Sequence, residues 1–236
     1  MFNRIILSLA LGLGVSCVIA QDAQLSAKPF FDVAAEFVAN YASIVAETKK
    51  KGGSVDNLTY LAQELEKAKI AVAIAQVDLK TLQEAPTSLL ASQGQIMVDA
   101  SRFGGSEAER GDIVRIGFGA ENAFGFVLLH AAGNKSAQDV ANTLAMLKVL
   151  CEKNLNPYAF VGHAFFDKEG RDYVSMIKPT VLNMAENMSQ SPIVGGQQIY
   201  QLLKAYAEQP QFATPENRAA YEESREENMQ DIPSCI

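Results

Sequence analysis

The sequence predicts an α+β protein: an N-terminal antiparallel helical hairpin followed by a small, mostly antiparallel sheet of four to five strands with helices on one face. Two consecutive segments repeat apolar residues at spacings of three and four, as amphipathic helices do. Short segments rich in β-branched and aromatic residues follow residue 86, as strands do. We therefore divide the chain into an export signal (1–20), a hairpin arm (21–85) and an α+β domain with an acidic helical C-terminus (86–236).

The first twenty residues have the features of an export signal. Arg4 supplies a positive charge, residues 5–15 form an apolar run too short to span a bilayer, and Ala20 ends a stretch of the small residues that export peptidases accept. We predict cleavage before Gln21 and release into the periplasm or the medium.

A lipid anchor is the alternative to release. Gly14, Val15, Ser16 and Cys17 resemble the processing box of bacterial lipoproteins, in which a small residue precedes the acylated cysteine. Gly14 departs from that pattern, which usually has leucine at this position. The resemblance implies membrane attachment through Cys17, and we expect membrane attachment by no other route.

The two helices of the arm are predicted from their apolar spacing. The first follows Pro29 and ends at the lysine–glycine turn of residues 49–53, and the second covers residues 55–84. The second helix carries an a/d seam over more than three heptads. This seam consists of Leu58, Leu61, Leu65, Ala68, Val72, Ala75, Leu79 and Leu82. Such a helix is about 45 Å long, so we expect its first half to protrude and Leu58, Leu61 and Leu65 to bind a partner.

The period of the apolar residues changes after Pro86. Strands are predicted over residues 95–98, 112–119, 124–130, 158–166 and 171–177. Ser136 is a suitable N-cap for a following helix. Helices are predicted over residues 136–151, 181–188, 197–208 and 215–228.

Two histidines are the first candidates for chemistry. His130 and His163 each lie at or near the end of a predicted strand, so neighbouring strands would bring them together near Asp167 or Glu169. That arrangement would suit an acid–base or metal site of a hydrolase. No HxxxH, HxH or CxxC spacing supplies the further ligands, so we predict no metal and no cofactor.

Aromatic residues of the predicted second hairpin are candidates for a ligand pocket. Phe160, His163 and Tyr173 would line it on the concave face of the sheet. The competing interpretation is ordinary core packing, which is the usual place of aromatic side chains.

The cysteines bear on the compartment. After cleavage at residue 20, Cys151 and Cys235 remain, and an exported chain with two cysteines predicts one disulfide between them. The alternative is that Cys151 is an apolar residue of its helix and Cys235 is a free thiol in the C-terminal tail.

Charge and motif content decide among function classes. The net charge is −7 and the only run of basic residues is Lys49–Lys51, which argues against binding to nucleic acid. With no catalytic motif and a long hairpin, the sequence favours a non-enzymatic envelope protein that binds a protein partner or its own copy. A small-ligand-binding, sensor-like module is the first alternative, and a hydrolase or metal enzyme that uses His130 and His163 is the second.

Overall fold

The computed structural model describes residues 27–103, 114–166 and 179–230 of the chain. These ranges hold nine α-helices, one 3-10 helix and a three-stranded antiparallel sheet. The predicted signal (1–20), the predicted strand 171–177 and Cys235 lie outside the described residues. No described helix combines the length and the apolar character that a membrane span requires.

Helices α1 (Lys28–Lys50) and α2 (Val55–Ala75) form the predicted hairpin. Their connection depends on two glycines. Gly52 has a φ of +76°, and a Cβ on Gly53 would lie 2.8 Å from the carbonyl oxygen of Thr48. Ser54 then caps α2 by accepting a hydrogen bond from the Asn57 backbone N–H at 3.2 Å.

Helix α2 ends nine residues earlier than predicted. Val77 adopts the left-handed conformation at φ +54°, and the Asp78 N–H donates to the Ala73 carbonyl at 2.8 Å, which together close a Schellman motif. The Asp78 side chain caps the short helix α3 (Leu79–Glu84). The apolar spacing continued through this break because Leu82 of α3 is buried in the same core as α2.

The other helices form the body beside the sheet. They are α4 (Thr87–Leu90), the 3-10 helix (Ala100–Phe103), α5 (Ala123–Ala131), α6 (Ala137–Glu152), α7 (Val181–Gln190), α8 (Gly196–Ala207) and α9 (Pro215–Gln230). Helices α6 to α9 lie where the sequence predicts them. Helix α6 begins at a capping box that Ser136 forms with Asp139.

The sheet has three described strands in the order β1 (Gln95–Asp99), β2 (Arg115–Ala120) and β3 (Val161–Phe166). Both pairs are antiparallel, and in the register His163 of β3 lies opposite Phe118 of β2. The prediction of four to five strands is therefore wrong for the described chain.

Residues 124–130 account for much of the error, because they belong to α5 and not to a strand. Asn122 caps this helix by accepting a hydrogen bond from the Phe124 N–H at 3.1 Å. Gly125 lets the helix approach the sheet so closely that a Cβ there would lie 2.5 Å from the Cβ of Ala120. Because α5 is buried on almost every side, its sequence is apolar throughout and shows no helical period.

The base of the hairpin belongs to the core of the protein. Phe30 of α1 packs against Phe103 and Phe118, with ring centroids 5.3 Å and 5.9 Å apart. Ile70 and Ile74 of α2 are buried in the same cluster as the helices of the body. The hairpin is therefore rooted in the core and is not tethered to it by a linker.

Thr180→Val should destabilise the protein. Thr180 is fully buried, its Oγ1 accepts a hydrogen bond from the Asn183 N–H at 3.2 Å, and Asn183 Nδ2 donates to the Tyr221 carbonyl of α9 at 3.1 Å. Losing this cap and leaving a buried donor unpaired should lower the free energy of unfolding by about 1–3 kcal/mol. Urea denaturation measures the change. Ser54→Ala, which removes an exposed cap, is the control and should cost less; an unfolding midpoint unchanged by Thr180→Val would contradict the prediction.

Candidate functional site

Two charged contacts mark the level at which the hairpin leaves the body. Arg102 of the 3-10 helix donates two hydrogen bonds to the carboxylate of Glu36 on α1, at 2.9 Å and 2.8 Å, and thereby lowers the pKa of Glu36. On α2, Glu64 and Lys67 form an ion pair at 2.9 Å beside Gly94, the residue before β1. Residues 37–63 lie beyond these contacts. This part of the hairpin, shorter than the predicted arm of residues 21–85, is called the arm from here on.

The arm lies outside the core. None of its residues is buried, and the core packs against the hairpin only as far as Ala34 of α1 and Ala68 of α2. The apolar seam between the two arm helices is partly exposed, as in an isolated helical hairpin. The predicted partner-binding residues are all partly buried: Leu58 and Leu61 lie in this seam, and Leu65 lies just below the arm on the same helix. Their role in binding a partner stays a prediction.

The arm is unusual because its middle carries no charge. Residues 37–46 of α1 and 57–63 of α2 contain no acidic, basic or histidine residue. Helices that only face water normally carry charged side chains on their outer surface. The outward positions here are exposed alanines, small polar residues and Tyr60, whose exposed fraction is 60%.

Charge returns at the tip of the arm. Lys49, Lys50 and Lys51 are all exposed, and Lys51 pairs with Glu47 at 2.7 Å. The hydrogen bond from Lys51 lowers the pKa of the Glu47 carboxyl. Val55, at the start of α2, is 79% exposed, so the tip joins basic and apolar surface.

His130 lies at the opposite end of the hairpin, where α5 meets α1. Its ring packs edge-on against Phe31 with centroids 5.9 Å apart, and its Nδ1 is buried with no hydrogen-bond partner among the described residues. Burial lowers the pKa of His130, against a smaller opposing effect of Asp139. A neutral imidazole therefore packs against the base of the arm.

The prediction that His130 and His163 lie on neighbouring strands is wrong, because residues 124–130 belong to a helix and not to a strand. His163 lies on β3 in register with Phe118, while Asp167 and Glu169 are outside the described residues. No group of three His, Cys, Asp or Glu side chains in the described ranges is arranged to hold a metal ion.

The three predicted ligand-binding residues are described only in part. Phe160 is partly buried just before β3, and its backbone N–H donates to Glu121 Oε2 at 2.9 Å. His163 follows it on the same strand, and Tyr173 lies outside the described residues. The ligand pocket stays a prediction.

Cys151 of α6 is partly buried and has no disulfide partner among the described residues. Burial raises its pKa to about 12, so the thiol is a poor nucleophile near neutral pH. Since Cys235 lies outside the described residues, the disulfide between the two also stays a prediction.

Sequence reasoning singled out the leucines of the seam and missed the outer surface of the arm. The sequence feature that indicates this surface is a lack of charge. The ten consecutive residues 37–46 carry no charged side chain, and none of them is buried. Comparison with protein-family models, with curated proteins and with solved structures finds no match for this chain.

The lowered pKa of His130 makes stability depend on pH. The unfolded state binds the proton more tightly, with a pKa near 6.5, so His130 contributes fully above that pH and its contribution is lost as the pH falls below it. We expect a lower urea midpoint at pH 5 than at pH 7, and a smaller difference between them in His130→Leu. The carboxyls with lowered pKa, such as Glu36, titrate below this window. An unchanged difference in the variant would contradict the assignment.

Proposed function

We propose that this chain is a non-enzymatic exported envelope protein that acts as an interaction or assembly component through its helical hairpin. The observation that carries the proposal is the arm. It extends for 14 residues of α1 beyond Glu36, about 21 Å, and its exposed middle is uncharged on both helices.

Part of the exposed surface of the arm is apolar: Val55 is 79% exposed and Tyr60 60% exposed, beside exposed alanines. Exposed apolar surface in water is unfavourable, and contiguous patches of it mark interaction sites in soluble proteins. The root of the arm is fixed by the Phe30 and Phe31 contacts and by the Glu36–Arg102 pair. A surface held in place in this way loses little conformational entropy when it docks.

The alternatives have less support. The hydrolase interpretation needed His130 and His163 on neighbouring strands, and His130 is on a helix. The ligand-binding interpretation rests on Phe160, His163 and Tyr173, of which only Phe160 has a described environment.

Photo-crosslinking in the native cell tests the proposed interaction. A photoreactive amino acid replaces Ala42 or Ala62, both exposed on the arm, and for comparison Val194, which is 42% exposed on the body. We expect discrete protein adducts from the two arm positions and few from position 194. No adduct from the arm, or equal labelling at position 194, would contradict the proposal.

Mass spectrometry of the purified mature protein tests the proposed export. The expected N-terminus is Gln21, with residues 1–20 removed. An acylated Cys17 at the N-terminus would replace release by lipid anchoring, and a chain that retains Met1 in the cell envelope fraction would contradict cleavage.

A further inference from the structure

We infer that the arm pairs with the arm of a second copy of this chain, antiparallel and through one defined side; this inference rests on the proposed function and names its partner. The side consists of Val38, Ala42 and Val45 of α1 with Val55 and Ala62 of α2, and is called the arm face. Four independent features support the pairing: a continuous apolar line, its width, the available area and the charge distribution.

The apolar line begins inside the core. Phe31, Val38 and Val45 are seven residues apart, which is close to two helical turns, so they lie along one edge of α1. Phe31 is only 6% exposed, and the ring of His130 of α5 packs against it. Val38 and Val45 continue the same edge past the body, where both are partly buried and neither belongs to the core. The arm face therefore prolongs an existing packed surface.

The two sides of the hairpin differ in character. From the right-handed winding of two antiparallel helices, the side of α2 that adjoins Val38 and Val45 carries Val55 and Ala62. The opposite side of the arm is polar. It consists of Asn40, Ser43 and Glu47 on α1 and Asn57 and Tyr60 on α2. The polar side runs toward the Glu36–Arg102 pair and Gly94, next to the sheet.

The width of the apolar stripe fits a four-helix assembly. A two-helix coil needs only the two seam positions of each heptad, and α1 supplies these with Phe37, Tyr41 and Ile44. Val38 and Val45 add a third apolar position per heptad, which is the pattern of helices in bundle cores. Two hairpins that pack face to face form such a bundle.

The available area is sufficient for a weak dimer. An arm of about 21 Å by roughly 20 Å, from helix lengths and interaxial distances, offers about 420 Å² per copy. The total of about 840 Å² is in the range of weak, transient interfaces. A dissociation constant in the micromolar range is therefore expected.

Charge selects the second copy and its direction. The arm, residues 37–63, carries a net charge of +1 and the remaining residues carry −8, which together give the −7 of the chain. Antiparallel pairing places the lysine clusters of the two copies, residues 49–51, at opposite ends of the paired arms. Parallel pairing would bring both lysine clusters to the same end, where like charges repel each other. A self-complementary face with a two-fold axis follows.

Sedimentation velocity of the purified full chain tests the pairing, from about 1 to 200 µM. We expect a concentration-dependent monomer–dimer equilibrium. Ala42→Glu places a charge in the arm face and should weaken the dimer about tenfold or more. Ser43→Glu, one residue away on the polar side, is the matched control and should leave the equilibrium unchanged. Circular dichroism checks that both variants keep their helix content.

Two results of this experiment would overturn the inference: a wild-type chain that is monomeric throughout, or equal effects of the two glutamates. A monomeric chain whose arm still forms adducts with a different protein in cells would leave the proposed function standing. The absence of both a dimer and adducts would contradict the inferred pairing and the proposed function together.

Cysteine cross-linking tests the direction, in a chain whose three cysteines, Cys17, Cys151 and Cys235, are replaced by serine. In the antiparallel dimer, Ala42→Cys lies near the two-fold axis and should link to its own copy through a short bismaleimide. Val55→Cys residues would be roughly 20 Å apart and should not link. Efficient linking at position 55 without linking at position 42 would show a parallel pair and contradict the proposal.

Discussion

The burial of the first turn of α1 is the constraint on which the rest of the structure depends. Phe30 packs against Phe103 and Phe118, and Phe31 packs against His130, so one helical turn contacts the 3-10 helix, the sheet and α5. These contacts fix the direction in which α1 leaves the core. Since α2 returns along α1 into the same core through Ile70 and Ile74, both helices of the hairpin are anchored in the core at their root.

The arm then divides its apolar residues between two tasks. The seam that includes Phe37, Tyr41, Leu58 and Leu61 closes the hairpin on itself. Val38 and Val45 lie outside that seam, in line with the buried Phe31, and form a surface that the described body does not cover. The opposite side of the same two helices carries the polar groups. A hairpin with this lateral asymmetry is built like half of a bundle and not like a solvated spacer.

The hairpin helices and helices α6 to α9 were predictable because their sequences show an apolar period or a cap. The hairpin follows from apolar spacing, and α6 follows from the Ser136 cap. Residues 124–130 were misassigned because a helix buried on almost every side has no period to reveal it. The break after α2 was missed because valine seldom takes the left-handed conformation that Val77 adopts. At the candidate site, the leucine spacing predicted the seam of the hairpin. The arm face was indicated only by the lack of charged residues in that part of the two helices.

The apolar line along α1 repeats every seven residues, and this repeat limits how the arm can change in length. A single inserted residue between Phe31 and Val45 would rotate everything beyond it by about 100° around the helix axis and turn the valines away from their side. Seven inserted residues would restore the side with a drift of only about 20°. Variants of this chain that keep the paired surface should therefore differ in arm length by whole heptads, balanced on both helices.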